Sequence, residues 1–279
     1  MLINSHSMLL TSYNHYSKYN SLAMKSMERL STGLRINRAS DDASGLAMAE
    51  RTSLESRALE QSVRNGQDLL SVMEMADETL ESGNSILQKV NELALKASSD
   101  TVNDDDLKAI SVEVNELLEE FDSITQNAQF NGRKLFDGTG DFSFKLAGSE
   151  DTQYFYFENI ETFNLGTDSA RLYTFKPGEA NATLTKDSAK ELVESVQLAM
   201  KTVRKERSLI GAEQNRMEFT INLAKEKSSI LMKAESRIRD VDVAKETMEL
   251  TKNQMLAQAS MTMMAQGMQH QQSVLMLLR

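Results

Sequence analysis

Arg35, Arg38, Asp41 and Asp42 fall together in the stretch LSTGLRINRASDDASGLA, Leu30 to Ala47. Side chains of these types support three kinds of chemistry. Adjacent carboxylates serve as a general acid and base when their environments differ. They can hold a cation, or they can cap a helix and pair with arginines, which makes a mechanical joint. A second stretch, ESRIRDVDVAKE at Glu235 to Glu246, repeats the arrangement with Arg237, Arg239, Asp240 and Asp242. Each cluster sits where a charged tract meets an uncharged chain end, so reciprocal arginine–aspartate pairing between the clusters is expected. Gly45 beside Asp42, with arginines close by, favours capping and ion pairing over acid–base work.

Other candidate chemistry is weaker. Asp104, Asp105 and Asp106 lack the alternating acids, central glycine and terminal glutamate of a calcium loop, and read as a helix start. His6, His15 and His270 are the only histidines and there is no cysteine, which leaves no Cys/His metal set and no thiolate nucleophile. Thioethers suit soft ions such as copper, but the helical spacing of Met255, Met261, Met263, Met264 and Met268 is simpler to read as packing. Asn181-Ala182-Thr183 matches an N-glycosylation pattern, a short motif that carries little weight by itself. No catalytic, metal-binding or cofactor-binding residue is expected.

The elements that position the two clusters are helical. The 279 residues include one proline, Pro177, and 12 glycines, so almost nothing forbids long helices. From Ser44 to Ser98, residues Val63, Leu70, Met73, Ala76, Leu80, Leu87, Val90, Ala94 and Ala97 repeat at three- and four-residue spacing, a seam with Gly66 and Gly83 in two of its positions. A continuous helix there would be on the order of 80 Å long. After a break capped by Asn103 or Asp104, Leu107, Ile110, Val114, Leu117, Phe121 and Ile124 form a second seam, which predicts an antiparallel hairpin. FSFKL, QYFYFENI and RLYTF read as short strands in a small glycine-rich island. Helix returns near Asp187 and again from Val241. The expected class is mainly α: a long antiparallel helical, coiled-coil bundle with a small β-hairpin element in the middle of the chain. The expected divisions are 1–43, 44–186, 187–236 and 237–279.

Both ends are nearly free of charge. Lys18 is the only charged side chain up to Met24, and only Lys252 and Arg279 follow Glu249. Solvent-facing helices carry charge on their outer faces, so these ends read as surfaces buried on assembly, with methionines as adaptable packing. On the long helix, Val72, Met75, Ile86 and Leu93 suggest a second apolar stripe, which a neighbouring subunit would cover. The net charge of −10, without a basic cluster, disfavours nucleic acid and anionic membranes as partners. No apolar run approaches the ~20 residues of a membrane span, and the first residues lack the features of a cleaved secretory signal. On these rules alone the protein reads as cytoplasmic.

Longer blocks alter that expectation. LSTGLRINRASDDASGLAMAE resembles the N-terminal signature of bacterial flagellin. NAQFNGRKLFDG resembles that family's passage from helix to β-hairpin. IGAEQNRMEFTINL, ESRIRDVDVAKETMELTKNQMLAQA and the final SVLMLLR resemble its C-terminal blocks, in the expected order. The resemblance implies a self-assembling structural polymer of the extracellular flagellar filament. Its two ends would pair as a coiled coil at the filament core, and the bundle and hairpin would form the next shell. The short island marks a minimal member without large outer domains. The resemblance further implies export, without a cleaved signal, by the flagellar type III apparatus. The implied partners are other flagellin subunits, a flagellin chaperone, the filament cap and hook-junction proteins. It also places an animal Toll-like receptor patch on Gln88, Lys89, Leu93 and Glu113. Receptor-active members carry arginine where Lys89 stands, and lysine lacks the planar fork, so weaker recognition is expected. The alternatives are a hook–filament junction protein, which matches the ASDDASG and RIRDVDVAKE blocks less closely, a flagellin-borne peptidase, whose His-Glu-x-x-His motif is absent here, and a secreted coiled-coil effector.

Overall fold

The computed structural model describes residues 2–138, 141–145, 152–166, 171–176 and 184–277. The described residues form five helices and two small hairpins: α1 Leu2–Thr32, α2 Ala43–Ala97, α3 Asp104–Asn127, β1 Gln129–Phe130, β2 Arg133–Lys134, β3 Asp141–Lys145, β4 Thr152–Tyr156, a 3-10 turn Leu172–Phe175, α4 Lys186–Arg239 and α5 Val243–Leu277. It divides into two compact units: Met1–Arg57 with Ser228–Arg279, and Ala58–Lys227.

The unit Ala58–Lys227 has an extensive apolar core. The α2 seam from Met73 through Ala97 is buried, and α3 supplies Leu107, Ile110, Val114, Leu118 and Phe121. Leu118, rather than Leu117, is the fully buried leucine, and Leu117 packs partly buried against the same core. Asn103 is the N-cap of α3, its Oδ1 accepting from the Asp106 amide at 2.8 Å, and three aspartates in the first turn complement the helix dipole. From α4, Leu192, Val196, Ala199, Val203, Met217 and Ile221 close the bundle.

The island is stitched to that core by aromatic residues. β1 and β2 pair through a tight turn in which Asn131 and Gly132 both take positive φ, 49° and 78°, as a type I′ hairpin requires. In β3–β4, Phe142 faces Phe155 across the ladder, and Phe142, Phe144, Phe155 and Phe157 are buried. Tyr154 and Tyr156, on the alternate face, remain exposed. The RLYTF segment corrects the strand expectation: Leu172–Phe175 is a 3-10 turn. The i, i+3 spacing of Leu172 and Phe175 puts both buried side chains on one side of that turn.

Asp122 of α3 anchors the island. This buried carboxylate accepts the Thr162 amide at 2.9 Å, the Thr162 hydroxyl at 2.6 Å and the Lys176 ammonium at 2.7 Å. Its position among α3 seam residues gave no sign that it would be satisfied from 40 and 54 residues away.

The unit built from the two chain ends has a different interior. α1 packs along α5. Among its described residues the buried set is Ala23, Ser26, Ile36, Ala49, Ser53, Ser56, Ser228, Glu246, Asn253 and Ala257. Small residues let the helices approach closely, and Ser56 and Ser228 hydroxyls meet at 3.0 Å. Large apolar side chains lie outside: Leu10, Tyr13, Met24, Met248 and Met255 are each more than half exposed.

Candidate functional site

The first charged cluster lies between α1 and α2, and the second between α4 and α5; both belong to the end unit. α1 stops at Gly33, whose φ of +73° suits glycine and whose amide donates to the Arg29 carbonyl at 2.8 Å. The chain then runs as a single antiparallel bridge, Leu34 opposite Asp240. The Arg35 amide donates to the Arg239 carbonyl at 2.7 Å, and the Val241 amide donates to the Gly33 carbonyl at 3.0 Å. The Arg35 guanidinium adds a bond to the Ile238 carbonyl at 2.7 Å, where the carbonyl end of α4 favours a cation.

The aspartates at the second position of each cluster do the same work. Asp42 caps α2, accepting from the Gly45 amide at 2.9 Å and the Ser44 hydroxyl at 3.0 Å. Asp242 caps α5 through the Lys245 amide at 3.1 Å. The amide of Gly45, aided by the Ser44 hydroxyl, holds the Asp42 carboxyl below its ordinary range. Gly45 is therefore needed for closeness and not for a hinge: a Cβ there would run into the Asp42 carboxylate and stand 2.9 Å from Ile36 Cδ1.

The expected pairing between the two clusters is not formed. Among the described residues no ion pair joins Arg35, Arg38, Asp41 or Asp42 to Arg237, Arg239, Asp240 or Asp242. Asp41 instead takes Lys25 at 2.6 Å and the amides of Arg38 and Asn37, and Lys25 above all lowers its pKa to about 2. Arg38 pairs with Glu28 at 2.8 Å, and Arg29 approaches Glu246 at 3.7 Å. Arg239 reaches Glu235 one turn back, Asp240 accepts from Ser236, and Arg237 is exposed. The two segments meet main chain to main chain, through the Leu34–Asp240 bridge, while Asp41 and Arg38 turn back to α1 and Asp42 and Asp242 cap the helices that follow them. Lys25, Glu28, Arg29 and Glu246 were missed as partners, although the first three are the first charges after the uncharged end. With every aspartate engaged by caps, hydroxyls or amines, the cluster has no carboxylate poised for acid–base work.

On the other unit, Lys89 and Glu113 come together, 3.9 Å apart and both exposed, beside exposed Gln88 and half-buried Leu93. The expected second stripe of α2 needs correction. Val72 is buried in the core, and Ile86 and Leu93 pack half-buried against it; only Met75 is exposed, at 38%. α2 uses both faces within its own unit, meeting Phe121 of α3 at Gly83 and Ile221 of α4 at Gly66. The Asn181-Ala182-Thr183 pattern lies outside the described residues. No described helix is long and apolar enough to cross a membrane.

Comparison with known proteins agrees with this architecture. The family profile for the bacterial flagellin N-terminal helical region matches residues 3–141, and that for the C-terminal helical region matches residues 193–278. A flagellin of Halalkalibacterium halodurans is 39% identical over 279 residues, covering all of both chains. A flagellin of Bacillus subtilis is 37% identical over 308 aligned positions, again covering both chains fully. A solved structure assigned to the flagellar hook-associated proteins, from Vibrio parahaemolyticus, shares the fold at 15% identity with a TM-score of 0.61, covering 72% of this chain and all of that one. The matches to both terminal regions and to full-length relatives establish that the chain belongs to the bacterial flagellin family.

Proposed function

We propose that this chain is the structural subunit of an extracellular flagellar filament, and that its end unit is the surface that polymerises. The observation that carries this reading is the inside-out character of that unit. It buries alanine and serine and leaves Leu10, Tyr13, Met24, Met248 and Met255 outside. Covering such side chains stabilises an assembly by roughly 1.5–3 kcal/mol each when burial is complete. A second copy of the same helices offers the matching uncharged surface. Like its family, it is a structural protein and not an enzyme. The hook–filament junction reading has less behind it, because that likeness is one of fold at 15% identity, against full-length flagellin relatives at 37% and 39%.

On this reading residues 1–43 and 237–279 form the filament core, and 44–186 with 187–236 form the next shell. Arg35, Arg38, Asp41, Asp42, Arg237, Arg239, Asp240 and Asp242 hold the joint between α1 and α5 and the helices that continue from them. Export by the flagellar type III apparatus, escort by a flagellin chaperone, and contact with the cap and hook-junction proteins follow from the same assignment. Gln88, Lys89, Leu93 and Glu113 form a weakened patch for the animal Toll-like receptor; a titration of monomer with the receptor, with Lys89→Arg alongside, should give tighter binding for the variant.

Seeded polymerisation examined by electron microscopy tests the main proposal. Full-length protein should give filaments, and chains lacking 1–43 or 237–279 should not. Absence of filaments from the full chain under all seeding conditions, with truncation changing nothing, contradicts it.

A further inference from the structure

α4 carries a second seam on its outer side. Positions 198, 201, 205, 209, 212, 216, 219 and 223 follow one another in steps of three and four, which puts them on one stripe of the helix. All eight are exposed, and the stripe is about 38 Å long at 1.5 Å per residue. Leu198, Leu209, Phe219 and Leu223 lie on it, Phe219 being 71% exposed. Lys201 and Lys205 stand between the first two leucines and enter no ion pair among the described residues, whereas the neighbouring Arg207 is held by Asp77 and Glu81. No acidic side chain falls on the stripe. The outer face of α3 has the opposite sign, for that helix carries eight acidic side chains and one lysine. Its positions 105, 109, 112, 116, 119 and 123 step by four and three and are all exposed. There Val112, 56% exposed, shares the stripe with Asp105, Glu116 and Glu119. Asp105 is taken by Lys108, but Glu116 and Glu119 enter no ion pair among the described residues.

We propose that the outer stripe of α4 receives the outer stripe of α3 from a second copy of this chain, with Lys201 and Lys205 meeting Glu116 and Glu119. A face that only needs solvating has no use for leucine and phenylalanine at seam spacing, nor for charge of a single sign. Both stripes face water, and no described ion pair joins α3 to α4, so neither stripe covers the other within one copy. Between copies they match in spacing and in sign: Val112 has apolar counterparts in Leu198 and Leu209, and each free carboxylate has a free ammonium. The two stripes differ from each other, so the contact is head-to-tail: every copy offers one of each and growth continues. The contact rests on the polymer reading but uses the unit Ala58–Lys227, apart from the chain ends.

Zero-length carbodiimide cross-linking of the full chain, as dilute monomer and as polymer, reads the contact without any variant. The reagent joins a carboxylate to an amine only where the two touch. Digests of polymer should contain Glu116 or Glu119 joined to Lys201 or Lys205, and digests of monomer should not. Charge reversal supplies the second reading. Lys201→Glu with Lys205→Glu should raise the critical concentration for polymerisation about tenfold at about 0.01 M salt, and much less at about 1 M, where charges are felt over only about 3 Å. Glu116→Lys with Glu119→Lys should do the same, and all four changes in one chain should restore the wild-type value. Wild-type filaments without these cross-links, double variants that assemble as wild type does, or a fourfold variant that is not rescued overturn the contact and leave the polymer reading standing. Wild-type chain that yields no filaments overturns both.

Discussion

Gly83 sits in the middle of α2, where glycine costs a helix about 1 kcal/mol relative to alanine. A Cβ built there would lie 2.9 Å from Phe121 Cε2, 3.5 Å from Cδ2 and 3.8 Å from Cζ. Carbon atoms prefer roughly 3.5–4.0 Å, and the Phe121 ring that would have to move is fully buried. Overpacking of this kind costs about 1–3 kcal/mol. Gly83→Ala should therefore be neutral or destabilising by up to about 2 kcal/mol, despite the gain in helix propensity. Gly211 of α4 supplies the control, because a Cβ there meets nothing within 4 Å. Gly211→Ala should stabilise by about 1 kcal/mol. Urea unfolding followed by far-ultraviolet circular dichroism measures both. The variants should differ by about 1–3 kcal/mol, with Gly211→Ala the more stable. Equal stabilisation by the two substitutions would refute the close packing of α3 on α2.

Removing Asp122 with Asp122→Ala leaves the Thr162 amide and the Lys176 ammonium without their acceptor; it should cost about 3 kcal/mol and increase exchange across 160–166 and 171–176. A double-mutant cycle on Arg207 and Asp77, joined at 2.8 and 3.3 Å, should give a coupling of about 0.5–1 kcal/mol. The same cycle on Arg38 and Asp242 should give none, because no ion pair links them. Asp41 titrates lower folded than unfolded, so the folded chain binds fewer protons there; its contribution is present above about pH 4 and lost as pH falls through about 2. Carboxyl NMR should find the Asp41 midpoint raised in Lys25→Gln, since Lys25 is the main cause of the shift.

The helices were legible because their causes are local. The spacing of Leu80, Leu87, Val90 and Ala94, the cap at Asn103 and the uncharged ends all lie within a few turns of what they determine. The joint was legible in place but not in partners. Arg38 and Asp242 are the right types to pair, yet a backbone bridge between Leu34 and Asp240 decides who meets whom, and bridges leave no pattern in side-chain type. The second stripe failed for a related reason: periodicity tells that Val72 is apolar-facing, not whether α3, α4 or another molecule covers it. The RLYTF segment read as a strand because aromatic content cannot distinguish a strand from one turn of 3-10 helix. Asp122 carried no signal as an isolated letter, since its partners, Thr162 and Lys176, come from the distant island.

Hydrogen exchange on monomer and on polymer from one preparation tests the central claim most directly. Polymerisation should slow exchange strongly along the described parts of α1 and α5, where Leu10, Tyr13, Met24, Met248 and Met255 become covered, and should change the 69–80 core of α2 little. Polymers in which α1 and α5 exchange as fast as in the monomer would contradict assembly through the end unit.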